Sequence, residues 1–350
     1  MSEPSVSEEN LLDRVKRRRV LLLAALAGLL VLSVFICIMI GDIGPIGGNQ
    51  ITVQEVFRIL LGQPSEYSNI IMTIRVPRVI LAGFVGAGLA AAGMAMQAVF
   101  RNSMADPFII GVSSGAAVGA ASVTVLGLTG VFLSFTQPIL AFVGAVITVF
   151  AVYKLGTSKG RIYVDTLLLS GVAIAAFLGA VTSFMIYASQ QQYFRIVHWL
   201  LGTLQSTTWT EVAIVSIPVI AGVLVIYLYG RDLNVLLLGE EAAHNLGGNP
   251  EFLKKMMLFV AAIMTSVAVA FTGIIGFVGL MVPHMMRLVV GPDHRILAPA
   301  SVFGGAIFLM WADALSRSFI DLPVGVITAL FGGPFFIYLL RRRKIRGEGG

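Results

Sequence analysis

Three arginines and one polar stretch hold most of the chemistry this chain offers. Arg75 and Arg78 stand three apart around Pro77, and Arg317 lies in the string ADALSR. A guanidinium presents a planar fork of donors that matches a carboxylate. The polar stretch covers residues 231–255 and holds Arg231, Asp232, Glu240, Glu241, His244, Glu251, Lys254 and Lys255, with Gly247, Gly248, Asn249 and Pro250 among them. A polar segment that long, inside an apolar chain, reads as a folded surface element for a partner, the plain alternative being a solvated loop. The acids that could relay an ion are Asp106, Asp165, Asp313 and Asp321. Ion relays sit at mid-membrane depth, whereas these four fall at or near the ends of apolar runs. Asp313 is the deepest, and a structural hydrogen-bonding role is expected of it.

Other chemistries are not written here. His198, His244, His284 and His294 are dispersed without ligand spacing, so no metal site is assigned. No G-x-x-x-x-G-K-[ST] phosphate loop occurs, and no local serine, base and acid suggest nucleophilic catalysis. The chain is therefore not expected to be an enzyme or to hold a cofactor. Cys37 is the single cysteine, so no disulfide framework exists.

The elements that must position these residues are membrane helices. Hydrophobic residues make up 57% of the chain and charged ones 12%, and the mean hydropathy is +0.91; a soluble domain carries about a quarter charged residues. The apolar runs are continuous for about 20 residues, as in spanning helices, and do not alternate as membrane strands do. The expected fold is all-α and polytopic, with about ten spans and both termini cytoplasmic. The spans are expected near 20–40, 79–100, 107–127, 138–155, 166–188, 211–230, two within 256–291, 296–316 and 323–340. Residues 1–19 read as a flexible cytoplasmic lead, 20–340 as the ten-span domain and 341–350 as a cytoplasmic basic tail. The first span reads as a signal anchor. Of the 24 Lys and Arg, all but Arg58, Arg75, Arg78, Arg195 and Arg317 then fall on the side of the termini. That bias follows the positive-inside rule and puts 231–255 in the cytoplasm. It also makes the +6 charge topological rather than a sign of nucleic-acid binding.

Spans two to five and seven to ten run in opposite senses, which suggests two halves related by an axis in the membrane plane. Gly111, Gly115 and Gly119 lie four apart on one helix face, as close helix packing requires. The external arginines have two readings. They snorkel or pair locally, Arg317 with Asp321 for example, or they form a basic ring for an acidic soluble partner. Within 231–255, GEEAAHNLG predicts a short helix with Glu240 and Glu241 at its favourable end and Gly247 at its stop. NPEFLKK starts a second short helix, capped by Asn249 and opened by Pro250.

The string RVPR, then GAGLAAAGMAMQAVFRNSMADPFIIGVSSGAAVGA, resembles the iron-siderophore, haem and cobalamin ABC importer permease family. LGEEAAHNLG, GIIGFVGLMVPHMMRL, GPDHR, WADALSR and LPVGVITALFGGPFFIYLL continue the match in order. The resemblance implies a transport subunit of a prokaryotic plasma (inner) membrane that pairs with a second, usually identical permease. Two ATPase subunits, which carry the ATP and magnesium, and an external substrate-binding protein complete the importer. It assigns ATPase coupling to Gly239, Glu240, Glu241, His244, Leu246, Gly247 and Gly248. It assigns binding-protein docking to Arg75, Arg78 and Arg317. It points to Thr166, Ser170, Thr182 and Thr328 along the pathway. A ferric siderophore is the expected cargo, with haem or cobalamin as alternatives; an ion-coupled carrier is the competing class. The sequence departs from the family at Tyr163–Thr166, where relatives carry a small polar gate, and at Asn102-Ser103, where Asn-Pro is common.

Overall fold

A computed structural model describes residues 6–40, 53–128, 135–318 and 322–345. Eight helices are long and apolar enough to cross a membrane, and two shorter apolar helices accompany them. Ten spans were expected, and each expected span finds its helix.

The first is α1, Val6–Met39, whose apolar window begins at Arg17. Residues 6–19, expected as a flexible lead, thus continue the helix, because nothing in them breaks it. A short amphipathic helix, α2 (Val53–Leu60), buries Val56 and Ile59. The second span starts earlier than expected. A π-helical turn, Ile70–Arg75, runs directly into α3, Val76–Val99. RVPR is therefore inside a helix rather than ahead of it. Pro77 lies at the join of the π-helical turn and α3, and the Met72 carbonyl one turn back accepts from Trp209 Nε1 at 2.9 Å.

Helix α4 (Val112–Val125) is preceded by a 3-10 turn, Pro107–Ile110, in which Asp106 accepts from the Phe108 N–H at 2.8 Å. α5 covers Thr136–Gly156 and α6 covers Val164–Ala188. Between them the basic loop forms a small antiparallel hairpin, β1 (Thr157–Ser158) and β2 (Arg161–Ile162). α7 (Tyr193–Leu200) is the short helix expected between spans five and six. α8 (Trp209–Leu228) opens with a reciprocal capping box between Thr208 and Glu211.

The cytoplasmic stretch folds as α9 (Gly230–Leu236) and α10 (Glu240–Asn245). The second short helix expected at NPEFLKK is instead the first turn of α11, Pro250–Thr272. Asn249 caps it, accepting from the Phe252 N–H at 3.0 Å, and the apolar run beyond Lys255 gives no stop before Gly273. α12 (Val278–Val290), α13 (His294–Ser318) and α14 (Val324–Ile345) complete the chain. The boundary placed near residues 273–276 is a real break in the helix, with Gly273 and Phe277 both at positive φ.

The core lies where α3 crosses α11, α12 and α13. Small residues allow the approach. A methyl on Gly86 would overlap the Gly305 carbonyl, one on Gly93 the Gly279 carbonyl, and one on Gly115 the Gly144 carbonyl. Close helix contact of this kind substitutes for the hydrophobic drive that lipid removes. α1 and α6 stay on the outside, mostly exposed along their spans.

Candidate functional site: an external arginine cluster and a cytoplasmic knob

The predicted arginines converge, but on the chain itself. Arg78 and Arg317 are buried, at 8% and 4% exposure, and both face the carboxylate of Asp313. Arg78 Nε lies 2.9 Å from Asp313 Oδ1, and Arg317 Nε lies 3.1 Å from Oδ2, one turn along α13. Arg317 also donates to the Ile40 carbonyl at 2.6 Å and the Cys37 carbonyl at 2.9 Å. Arg75, half-buried, reaches the Ile38 carbonyl at 3.5 Å.

Arg75 and Arg317 thus meet at the C-terminal end of α1, and Arg78 is tied to Arg317 through Asp313. That end leaves unpaired carbonyls and carries partial negative charge, so cations suit it. This explains why arginines persist on the external side against the positive-inside bias. It also corrects the picture of an exposed ring: Arg78 and Arg317 sit inside the bundle, and Arg75 alone of the three keeps appreciable solvent access. Asp313 has the structural role expected of it. Asp321, offered as a partner for Arg317, lies outside the described residues.

On the cytoplasmic face, α10 stands out as a knob. Gly239 at φ +114 turns the chain into it, and Gly247 at φ +82 turns the chain out. Non-glycine residues adopt such angles only with strain. Glu240, Glu241, His244, Leu246 and Gly247 are exposed, while Ala243 is buried beneath. Leu246 and Phe252 add apolar exposure around a hollow of about 300 Å³ between α9, α10 and α11, and Leu238 is exposed just ahead of Gly239. Exposed apolar groups rimmed by charge mark a contact surface. Glu240 differs from its neighbours because its carboxylate also receives the Lys254 ammonium at 3.1 Å.

A second cytoplasmic cluster was not foreseen. Asp293, just ahead of α13, pairs with Arg295 at 2.9 Å and with Arg19 of α1 at 3.2 Å, and receives Asn234 Nδ2 of α9 at 2.8 Å. The Arg295 guanidinium holds its carboxyl well below the usual carboxylate range, and the Asn234 amide adds to the effect. The cluster ties α1, α9 and α13 at one level.

The four pathway residues divide. Thr166 and Ser170 are one turn apart on α6, so they share a face, and both keep solvent access. Thr182 is buried and bonds the Leu178 carbonyl of its own helix at 2.9 Å. Thr328 is fully buried and bonds Gly325 O at 3.1 Å. The latter two are packed within the protomer. Among the described residues, no group of three or more His, Cys, Asp or Glu could hold a metal ion.

The model of the FecCD transport family matches residues 29–342. The chain belongs to that family. It is an ABC transporter permease subunit and a multi-pass protein of the prokaryotic plasma (inner) membrane. It is 48% identical over 297 residues to the cobalamin import system permease protein BtuC of Halobacterium salinarum, covering 85% of this chain and 80% of that one. It is 38% identical over 284 residues to the hemin transport system permease protein HmuU of Yersinia pestis, covering 79% and 85%. A solved structure described as an inward-facing conformation of a metal-chelate type ABC transporter superposes with a TM-score of 0.79 at 28% identity, over 92% of this chain and 99% of that one.

Proposed function

We propose that this chain forms the translocation pathway of an ATP-driven importer for a large metal chelate. The observation that carries the reading is the α10 knob, an exposed helix built between two span ends in a chain of the FecCD transport family. Gly239, Glu241, His244, Leu246, Gly247 and Gly248 supply the surface that a separate ATPase grips. ATP and magnesium are bound by that ATPase and not by this chain. A second copy covers the apolar faces of α6 and α14, where Phe177, Phe184 and Leu330 are exposed. Thr166 and Ser170 face the pathway between the copies. A soluble binding protein docks on the external face through Arg75, with Arg78 and Arg317 setting the surface from beneath.

Burial of Asp313 between two arginines argues against the ion-coupled alternative, since a proton relay must exchange protons with water. Identity of 48% to a permease named for cobalamin import makes a corrinoid the first chelate to assay, ahead of the ferric siderophore expected from sequence. The test is uptake into proteoliposomes holding the permease, its ATPase and its binding protein. ATP inside the ATPase compartment should drive uptake. Uptake by the permease alone, driven by an ion gradient, would sink the proposal.

A further inference from the structure

Lys254 is the largest side chain below 2% exposure among the described residues, at 1%, and lies at the cytoplasmic end of α11. Its ammonium meets three acceptors on three elements. Glu240 Oε1, the first residue of α10, is 3.1 Å away; Glu251 Oε1, in the first turn of α11, is 2.5 Å away; the Ile162 carbonyl, in β2, is 3.4 Å away. Glu251 closes the ring, its Oε2 accepting from the Ile162 N–H at 3.0 Å. β2 is two residues ahead of α6, and the hairpin is anchored on α5 by Tyr163 N–H to Gly156 O at 3.1 Å.

An ammonium has three donors, and here all three are spent. Separating any of the elements leaves a buried charged donor or its acceptor bare, which is far more costly than losing an exposed pair. Of the acceptors, Glu240 is the more open to solvent, with its side chain 45% exposed on the knob against 27% for Glu251. The ring therefore has one end on the partner-facing helix and the other at the entrance to α6.

We propose that Lys254 is a positioning residue that makes α10, the first turn of α11 and the β1–β2 hairpin move as one body, so that displacement of α10 reaches the cytoplasmic end of α6. This rests on the reading of α10 as the ATPase contact. Lys254→Met keeps the aliphatic stem and removes the charge. The assembled importer is reconstituted, and uptake and ATP hydrolysis are measured together. The ratio of uptake to ATP hydrolysed should fall about tenfold, in the range typical of coupling energies, while hydrolysis continues. Spin labels at Ser158→Cys and Asn245→Cys, in a Cys37→Ala background, report the separation of hairpin and α10. That separation should stay narrow on ATP addition in the parent and broaden in Lys254→Met. An unbroadened separation, or uptake and hydrolysis falling in equal proportion, overturns the relay. Glu240→Gln, at the exposed end, serves if Lys254→Met does not fold; it should lower the same ratio about threefold, and an unchanged ratio overturns the relay. If the parent chain binds no ATPase, the reading of α10 falls and takes the relay with it. If the parent couples and both variants couple equally well, the relay alone falls.

Discussion

Arg78 Nε on α3 lies 2.9 Å from Oδ1 of Asp313 on α13, a fully buried carboxylate that a second arginine, Arg317, approaches from its other side. Two cations share one anion, and the balance comes from the carbonyls that end α1. Removing the anion strands both guanidinium groups. Asp313→Asn should lower stability by about 3–5 kcal/mol, the usual result of breaking a buried pair. Thermal unfolding in detergent measures this. A double-mutant cycle with Arg78→Met should show strong non-additivity; additive losses would mean that the pair is not coupled.

Docking through Arg75 predicts a salt-dependent loss. Arg75→Glu should leave the permease folded and weaken binding-protein association about tenfold or more at low salt, with the difference shrinking as salt screens it. Equilibrium binding of the purified binding protein to reconstituted permease decides this. Equal affinity of parent and variant at low salt would remove Arg75 from the contact.

The α3–α12 crossing predicts a glycine-specific cost. Gly93→Ala puts a methyl against the Gly279 carbonyl and should destabilise by about 1–3 kcal/mol, as overpacking does. Gly28→Ala in α1 meets no atom within 4 Å and should be neutral or stabilising by up to about 1 kcal/mol from helix propensity. Comparing the two unfolding midpoints separates packing from propensity.

Asp106 predicts a pH-dependent gain. Burial pushes its carboxyl from 3.8 up to about 6, against the opposing hydrogen bond from the Phe108 N–H. The folded state therefore disfavours the charged form. Asn keeps the cap acceptor and carries no charge. Asp106→Asn should add about 1–2 kcal/mol above pH 6, the lower end of a two-unit shift because the side chain keeps partial solvent access. The gain should fade as pH drops from 6 to 3.8 and be lost below that, where Asp106 itself is protonated in both states. Melting curves across that interval check both sign and window.

Hydropathy located every span, because each buries or presents a continuous apolar surface, and the charge bias set their sense. The knob was legible through Gly239, Gly247, Asn249 and Pro250, whose backbone preferences are local. Helix continuity was less so. Residues 6–19 and 70–78 carry polar side chains that suggest loops, yet hold no strong helix breaker except Pro77, which sits at the join of the π-helical turn and α3. Least legible were the long-range polar contacts. Nothing near Lys254 in sequence announces Ile162, and nothing near Arg317 announces Cys37. From sequence, Lys254 reads as one charge of a partner-facing stretch, and Arg317 as a docking residue or a partner of Asp321. Their true surroundings depend on how distant helices pack, which no local pattern encodes.

The hold that Arg317 has on the end of α1 spans 277 positions. α13 follows α1 far along the chain, so the Cys37 and Ile40 carbonyls meet Arg317 only after most of the helices between them are made. A chain cut short before α13 would lack both the Arg317 contacts to α1 and the Asp313 partner of Arg78. The cluster therefore joins the two ends of the sequence, and it completes only when nearly the whole chain is present.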